Sequence, residues 1–227
     1  MVDFSGVVNV VYTVGRITPN GILPLGTATL LNKMNHFVTA AHVTNNDDNN
    51  LVVVLPKVES LSDYQDMSSY QEINYLEVKI VATNPLHDLC ILKLSNDKIE
   101  TSSTVTISSL DSLNVGDKVN LFGFPDLNFG RVVLTKQETE IGAKILLENL
   151  GEKVKHAVIN IQSRQGQSGG PVFRLNSTNL IGILTGAYVP GGKEGGGILI
   201  GGIDPRTLHP ATHIVSAEYI LEMLDYE

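Results

Sequence analysis

With a single cysteine, Cys90, the 227-residue chain cannot form an internal disulfide. That suits a reducing compartment and leaves packing alone to hold the fold together. Positive charge is also scarce: 16 Lys and Arg stand against 24 Asp and Glu, for a net charge of −8. No stretch clusters Lys and Arg as a phosphate-binding surface requires, so nucleic acid is not expected as a partner. No apolar run approaches the roughly 20 residues of a membrane-spanning helix. The start, MVDFSGVVNVVYTVG, has Asp3 where a signal peptide carries its basic residues. The expectation is a cytoplasmic protein with no membrane partner.

What is present is apolar and β-rich. Hydrophobic residues at 42% suffice for a core, and 18% charged residues are too few for a disordered chain. VVNVVYTVG, GTATLLNK, HFVTAAHV, LVVVLPK, YLEVKIVATNP and DLCILKLS are short runs rich in Val, Ile, Thr and Tyr, broken by Gly, Pro and Asn. A polar stretch, residues 96–118, bridges to a second set: VNLFGFP, GRVVLTKQETEI, HAVINIQ, GPVFRL, LIGILTGAYV and GGGILIGGI. Six strand-like runs on either side of a linker predict two barrels or sandwiches rather than βα units. The one helix is expected over 216–226, with Ser216 as N-cap and Ala217, Ile220, Leu221 and Leu224 on one face.

One loop asks for an explanation. RQGQSGGPVF, residues 164–173, surrounds Ser168 with three glycines and a proline. A phosphate loop is excluded, because Gly-Lys followed by Ser or Thr and a helix is absent and a strand follows instead. GGKEGGG at 191–197 also lacks that pattern and reads as a hairpin loop. An exposed nucleophilic serine needs a base and a carboxylate elsewhere. His42 closes HFVTAAH, where small neighbours leave room for an imidazole. Asp88 opens DLCILKL, a carboxylate heading an apolar strand, costly unless paired. Each residue taken alone has a bland explanation as a strand-end histidine, a turn aspartate or a loop serine. Cys90 lies inside the apolar run and is expected in the core. His36, His87, His156, His209 and His213 show no metal-ligand spacing, and surface or core roles are expected for most of them.

TAAH, DLCILKL and GQSGGP, in that order on an all-β chain, carry a resemblance to the trypsin-like serine peptidases of chymotrypsin fold. The disulfide-free bacterial type related to Deg and HtrA proteases is the nearest in pattern. The resemblance spans about residues 6–224 and also rests on GTATLLNKMNHFVTAAHV and LIGILTGAY. It implies an all-β fold of two six-stranded antiparallel barrels with the active site between them and a C-terminal helix. Residues 1–227 would form one peptidase domain, with barrels over about 6–96 and 116–215. His42, Asp88 and Ser168 would then be base, orienting carboxylate and nucleophile, and the N–H groups of Gly166 and Ser168 an oxyanion hole. No metal or organic cofactor is needed for that chemistry, and the substrate would be a polypeptide.

The resemblance places the primary specificity pocket at Gln162, Ser163, Thr185, Gly186 and Ala187, with His213 near its floor. Gln162 stands where trypsin has an aspartate, so cleavage after Lys or Arg is not implied. Leu184 stands where glutamate-specific relatives have a histidine. Thr185 resembles the small hydroxyl residue that supports the catalytic aspartate. Gln167 replaces the aspartate that zymogen-type relatives pair with a new N-terminus, so activity without N-terminal processing is expected. Control would come from ordering residues 160–168 through a partner, an oligomer contact or substrate. No appended PDZ domain is expected within the 227 residues, and a regulatory partner or fused domain stays open. The alternative is a catalytically silent fold kept as a binding or scaffold module, against which the intact triad and oxyanion glycine speak. An esterase reading finds GQSGG matching Gly-x-Ser-x-Gly, yet the strand–turn–helix context is missing.

Overall fold

The computed structural model describes residues 4–31, 35–67, 73–96, 99, 101, 103–188 and 211–225. After a 3-10 turn over Phe4–Asn9 come β1 (Val11–Thr18), β2 (Gly21–Leu30) and β3 (His36–Ala40). A one-turn helix α1 (Ala41–Thr44), then β4 (Leu51–Val54), β5 (Tyr75–Asn84) and β6 (Leu89–Leu94) follow. These six strands close into a barrel in the order β1-β2-β3-β6-β5-β4, all neighbours antiparallel. All five side chains of β3 and all but Lys93 of β6 are buried. Such strands read as continuous apolar runs rather than alternating ones, because both faces are covered.

A short β7 (Thr106–Ile107) opens the second half, followed by β8 (Lys118–Gly123), β9 (Thr135–Asn149), β10 (Glu152–Ile159), β11 (Pro171–Arg174), β12 (Asn179–Tyr188) and β13 (Ala211–Ser216). β8-β9-β10-β13-β12-β11 closes on itself as a second six-stranded antiparallel barrel, through the pairing of β11 with both β8 and β12. Its interior is lined by Leu121, Ile141, Ile159, Val172, Leu184 and Ile214. A larger apolar cluster fills the first barrel and runs on to Phe122, Phe173 and Val215 of the second, joining the two. The chain ends in α2 (Tyr219–Asp225), which returns to β5 and β6 of the first barrel. No helix among the described residues is long and apolar enough to cross a membrane.

The structure departs from the sequence expectations in four places. The linker is strapped to the second barrel, β7 pairing in parallel with β12 and Leu110 N–H donating to Ser216 Oγ at 3.1 Å. Ser216 is therefore a buried residue of β13 and not a helix cap; α2 begins at Tyr219 and buries Ile220, Met223 and Leu224, while Leu221 is exposed. The hairpin β9–β10 runs well past the Ile141 and His156 boundaries expected for it. Its two-residue turn puts Leu150 at φ 52° and Gly151 at φ 86°, a primed turn that leucine rarely makes, so no turn signal marks it in the sequence. The first expected strand starts later, at Val11, because residues 4–9 coil. The expected strand over 195–203 and the loop 191–197 lie outside the described residues.

Candidate active site

His42 stands on α1, immediately after β3, and Asp88 in the turn that leads into β6, the strand paired with β3. Pairing brings the two together: Ala40 lies opposite Leu89, and Ala41 N–H donates to Asp88 O at 3.0 Å. Asp88 adopts φ 53°, a left-handed conformation that aspartate tolerates better than most residues. From there its carboxylate reaches back in two ways. Oδ1 accepts from His42 N–H at 3.0 Å, and Oδ2 lies 2.7 Å from His42 Nδ1. An ionised carboxylate can only accept, so Nδ1 carries the imidazole proton and Nε2 presents a lone pair.

Ser168 comes from the opposite barrel, on the turn before β11. The turn is fastened to the first barrel by Thr27 N–H donating to Ser168 O at 2.8 Å. A Cβ built at Gly26 would lie 2.7 Å from Val43 and 3.0 Å from Ser168 O. The serine and the residue next to His42 thus meet over one glycine. Gly169, at φ +84°, fits against Thr27 O, Thr39 Oγ1 and Ala40 N, where any side chain would collide. Ser168 itself is partly exposed, and its Oγ has no hydrogen-bond partner among the described residues.

The peptide planes before Gly166 and before Ser168 are each pinned on their carbonyl side. Gln165 O accepts from Asp126 N–H at 2.8 Å and Gln167 O from Gly170 N–H at 2.9 Å, while Gly166 O accepts from Thr27 Oγ1 at 2.7 Å. In a planar trans peptide the N–H points opposite to the C=O. The N–H groups of Gly166 and Ser168 therefore face away from these anchors, and neither has an acceptor among the described residues. Gly166 holds φ +96°, and a Cβ there would strike Phe124 O and lie 2.6 Å from Leu127.

Of the residues expected in the specificity region, Gly186 is the one placed against the serine. Gly186 and Ala187 of β12 pair with His213 and Thr212 of β13, and a Cβ at Gly186 would lie 3.8 Å from Ser168 Oγ. Ser163 N–H donates to Thr212 Oγ1 at 3.0 Å; Gln162 is exposed and His213 is buried. A bulge between Leu184 and Gly186 turns Thr185 out of register. Its hydroxyl donates to His213 O at 3.4 Å, and among the described residues no hydrogen bond joins it to Asp88. Cys90 is fully buried, and burial pushes its thiol pKa up. His36, His87 and His156 are buried, and His209 lies outside the described residues. Thr27, Gln137 and Asp126, which hold the serine turn, carry no signal that local sequence could have revealed.

Residues 26–183, which include His42, Asp88 and Ser168, match the family model described as the trypsin-like peptidase domain. Among curated proteins nothing matches. Among solved structures the chain is similar to the active form of the Rv3671c protease from M. tuberculosis, at 18% identity and TM-score 0.67, over 96% of this chain and 80% of that one. The MamO protease domain from Magnetospirillum magneticum is 17% identical with TM-score 0.66, covering 96% of each chain. The HtrA-type protease AlgW, solved with a decapeptide, is 19% identical with TM-score 0.62, over 98% of this chain and 65% of that one. At such identities the likeness speaks for the fold, while the family model speaks for descent. The chain belongs to the trypsin-like peptidases and, with its single cysteine, to their disulfide-free type.

Proposed function

We propose that this protein is a serine endopeptidase that cleaves polypeptides through an acyl-enzyme formed on Ser168. The observation that carries the reading is the bidentate hold of Asp88 on His42, with Nδ1 and the main-chain N–H both engaged. That hold serves to fix one tautomer and aim Nε2, which is useful only if Nε2 has a proton to accept.

Serine is a weak nucleophile until a base takes its proton. His42 Nε2 removes the Ser168 proton as Oγ bonds to the scissile carbonyl carbon, and the carbonyl π pair moves onto oxygen. The imidazolium so formed lies beside Asp88, whose charge stabilises it without taking the proton. The N–H groups of Gly166 and Ser168 receive the oxyanion, each typically contributing roughly 3–4 kcal/mol to the transition state. Collapse breaks the C–N bond, and the amine leaves with the proton from His42. Water, activated by the same imidazole, then cleaves the Ser168 ester and regenerates the site.

The test is labelling with a fluorophosphonate followed by intact mass and peptide mapping. One adduct per chain, on Ser168, with no N-terminal trimming, is the expected result, and digestion of a peptide library separates peptidase from esterase. A chain that takes no label and cuts no peptide would be a silent binding module.

A further inference from the structure

Gln167 has no exposed surface, yet its side chain is fully polar, and buried amides persist only where their hydrogen bonds are met. Its Oε1 accepts from Arg164 N–H at 2.8 Å, and its Nε2 donates to Gln137 Oε1 at 2.7 Å. Gln137 belongs to β9, opposite Leu121 of β8, so the contact runs from the serine turn into the wall of the second barrel. Gln167 N–H in turn donates to Arg164 O at 3.1 Å. Arg164 and Gln167 thereby close a double-bonded ring around the 165–166 peptide, the unit whose N–H would serve as the first oxyanion donor.

We propose that Gln167 is a positioning residue that preorganises the oxyanion hole, its carboxamide clasping Arg164 N–H and Gln137 so that the Gly166 and Ser168 N–H groups stay aimed at the substrate oxygen. This rests on the serine peptidase reading. A turn with three positive-φ or crowded glycines has little rigidity of its own, because glycine gives the backbone freedom. Without the clasp the 165–166 plane keeps only the bond from Asp126 N–H to Gln165 O, and a donor that swings away contributes nothing to the transition state. The clasp is neutral and internal. It asks for no ammonium group and no partner to order the turn, and it predicts an assembled donor pair in the isolated chain.

Gln167→Met keeps the volume and removes both hydrogen bonds. Its kcat is expected to fall about 10²-fold with KM little changed, the pattern of an interaction made in the transition state. Gln137→Met, at a less buried partner, gives a smaller loss, and Gln137→Glu, which still accepts the Nε2 proton, recovers most of it. Amide hydrogen exchange reads the clasp independently of activity. In Gln167→Met, protection at Gln167 and Gly170 falls while that of β3, β6 and β8 holds. If Gln167→Met retains wild-type kcat, or its exchange at 164–170 matches wild type, the proposal is overturned. A wild-type chain that does not label at Ser168 refutes the peptidase reading instead, and the exchange result still decides whether the clasp holds the turn.

Discussion

His42 and Asp88 stand partly in solvent, with side-chain exposures of 49% and 31%, whereas Gly166, Gln167, Gly169 and Gly170 around Ser168 are buried. The two halves of the site are built from different material. On the proposed reading, side chains in the first would do the chemistry, and one carboxylate holds their geometry from the neighbouring turn. In the second, the main chain would supply the donors, and the turn is pinned from β2, the turn at Asp126, β9 and β12. A change in the first half should alter rate and spare the fold. A change in the glycines of the second should cost the fold itself, and Ser168 is the one residue there expected to behave like the first.

Ser168→Ala gives the largest effect and tests that exception. The rate of peptide cleavage is expected to fall roughly 10⁴- to 10⁶-fold. Because Ser168 Oγ has no partner among the described residues, no group is orphaned, and stability should move by less than about 0.5 kcal/mol. Asp88→Asn should lose roughly 10⁴ in kcat with similar sparing of Tm, since an amide can mimic the bond to His42 N–H but disturbs the tautomer. Steady-state kinetics beside thermal melts decide both. A marked loss of Tm in Ser168→Ala would break the comparison.

Much of the first half was legible in the sequence, because its candidate residues are recognisable by type. A histidine after small residues and an aspartate heading an apolar strand are visible locally. The serine turn was legible only in outline. Gly166 and Gln167 stand next to Ser168, but Thr27 reaches Gly166 from 139 positions away, and Gln137 bonds Gln167 across 30. No local pattern encodes such contacts. The bulge at Thr185 is hidden for the same reason, since register depends on the partner strand. At the fold level, strands announced themselves, whereas barrel closure through β1–β4 and β11–β12 is long-range, and the turn at Leu150 uses a residue that does not advertise one.

Gly169→Ala sharpens the second half of the comparison. The added methyl must displace Thr27 O and Thr39 Oγ1 while the residue holds φ +84°. A loss above about 4 kcal/mol is expected, from steric overlap and left-handed strain together. Gly21→Ala is the control, at φ +115° with nothing within 4 Å, where only the strain of about 1–2 kcal/mol applies. Urea unfolding of the two variants isolates the overlap. Equal losses would mean that the serine turn yields more than its contacts imply.

The smallest effect concerns acid, and it separates stability from rate. His156 of β10 and His213 of β13 lie on adjacent strands, and His87, stacked on Tyr219 at 3.9 Å, approaches from the first barrel with Nε2 3.1 Å from Glu152 Oε1. Burial pushes His156 down to about 4, with the charges of His213 and His87 acting the same way and Asp88 opposing; burial lowers His213 as well. The unfolded chain therefore takes up protons first as pH falls. The contribution of His156 is fully present above about pH 6.5 and is lost progressively towards pH 4, at most about 3 kcal/mol, with His213 adding in the same direction. Unfolding free energies measured from pH 7.5 to 4.5 should decline for the wild type and decline less for His156→Gln. His156→Gln should flatten the stability profile and leave kcat/KM at pH 7.5 unchanged. If the rate falls along with the change in stability, the division between a solvent-facing chemical half and a buried structural half no longer holds.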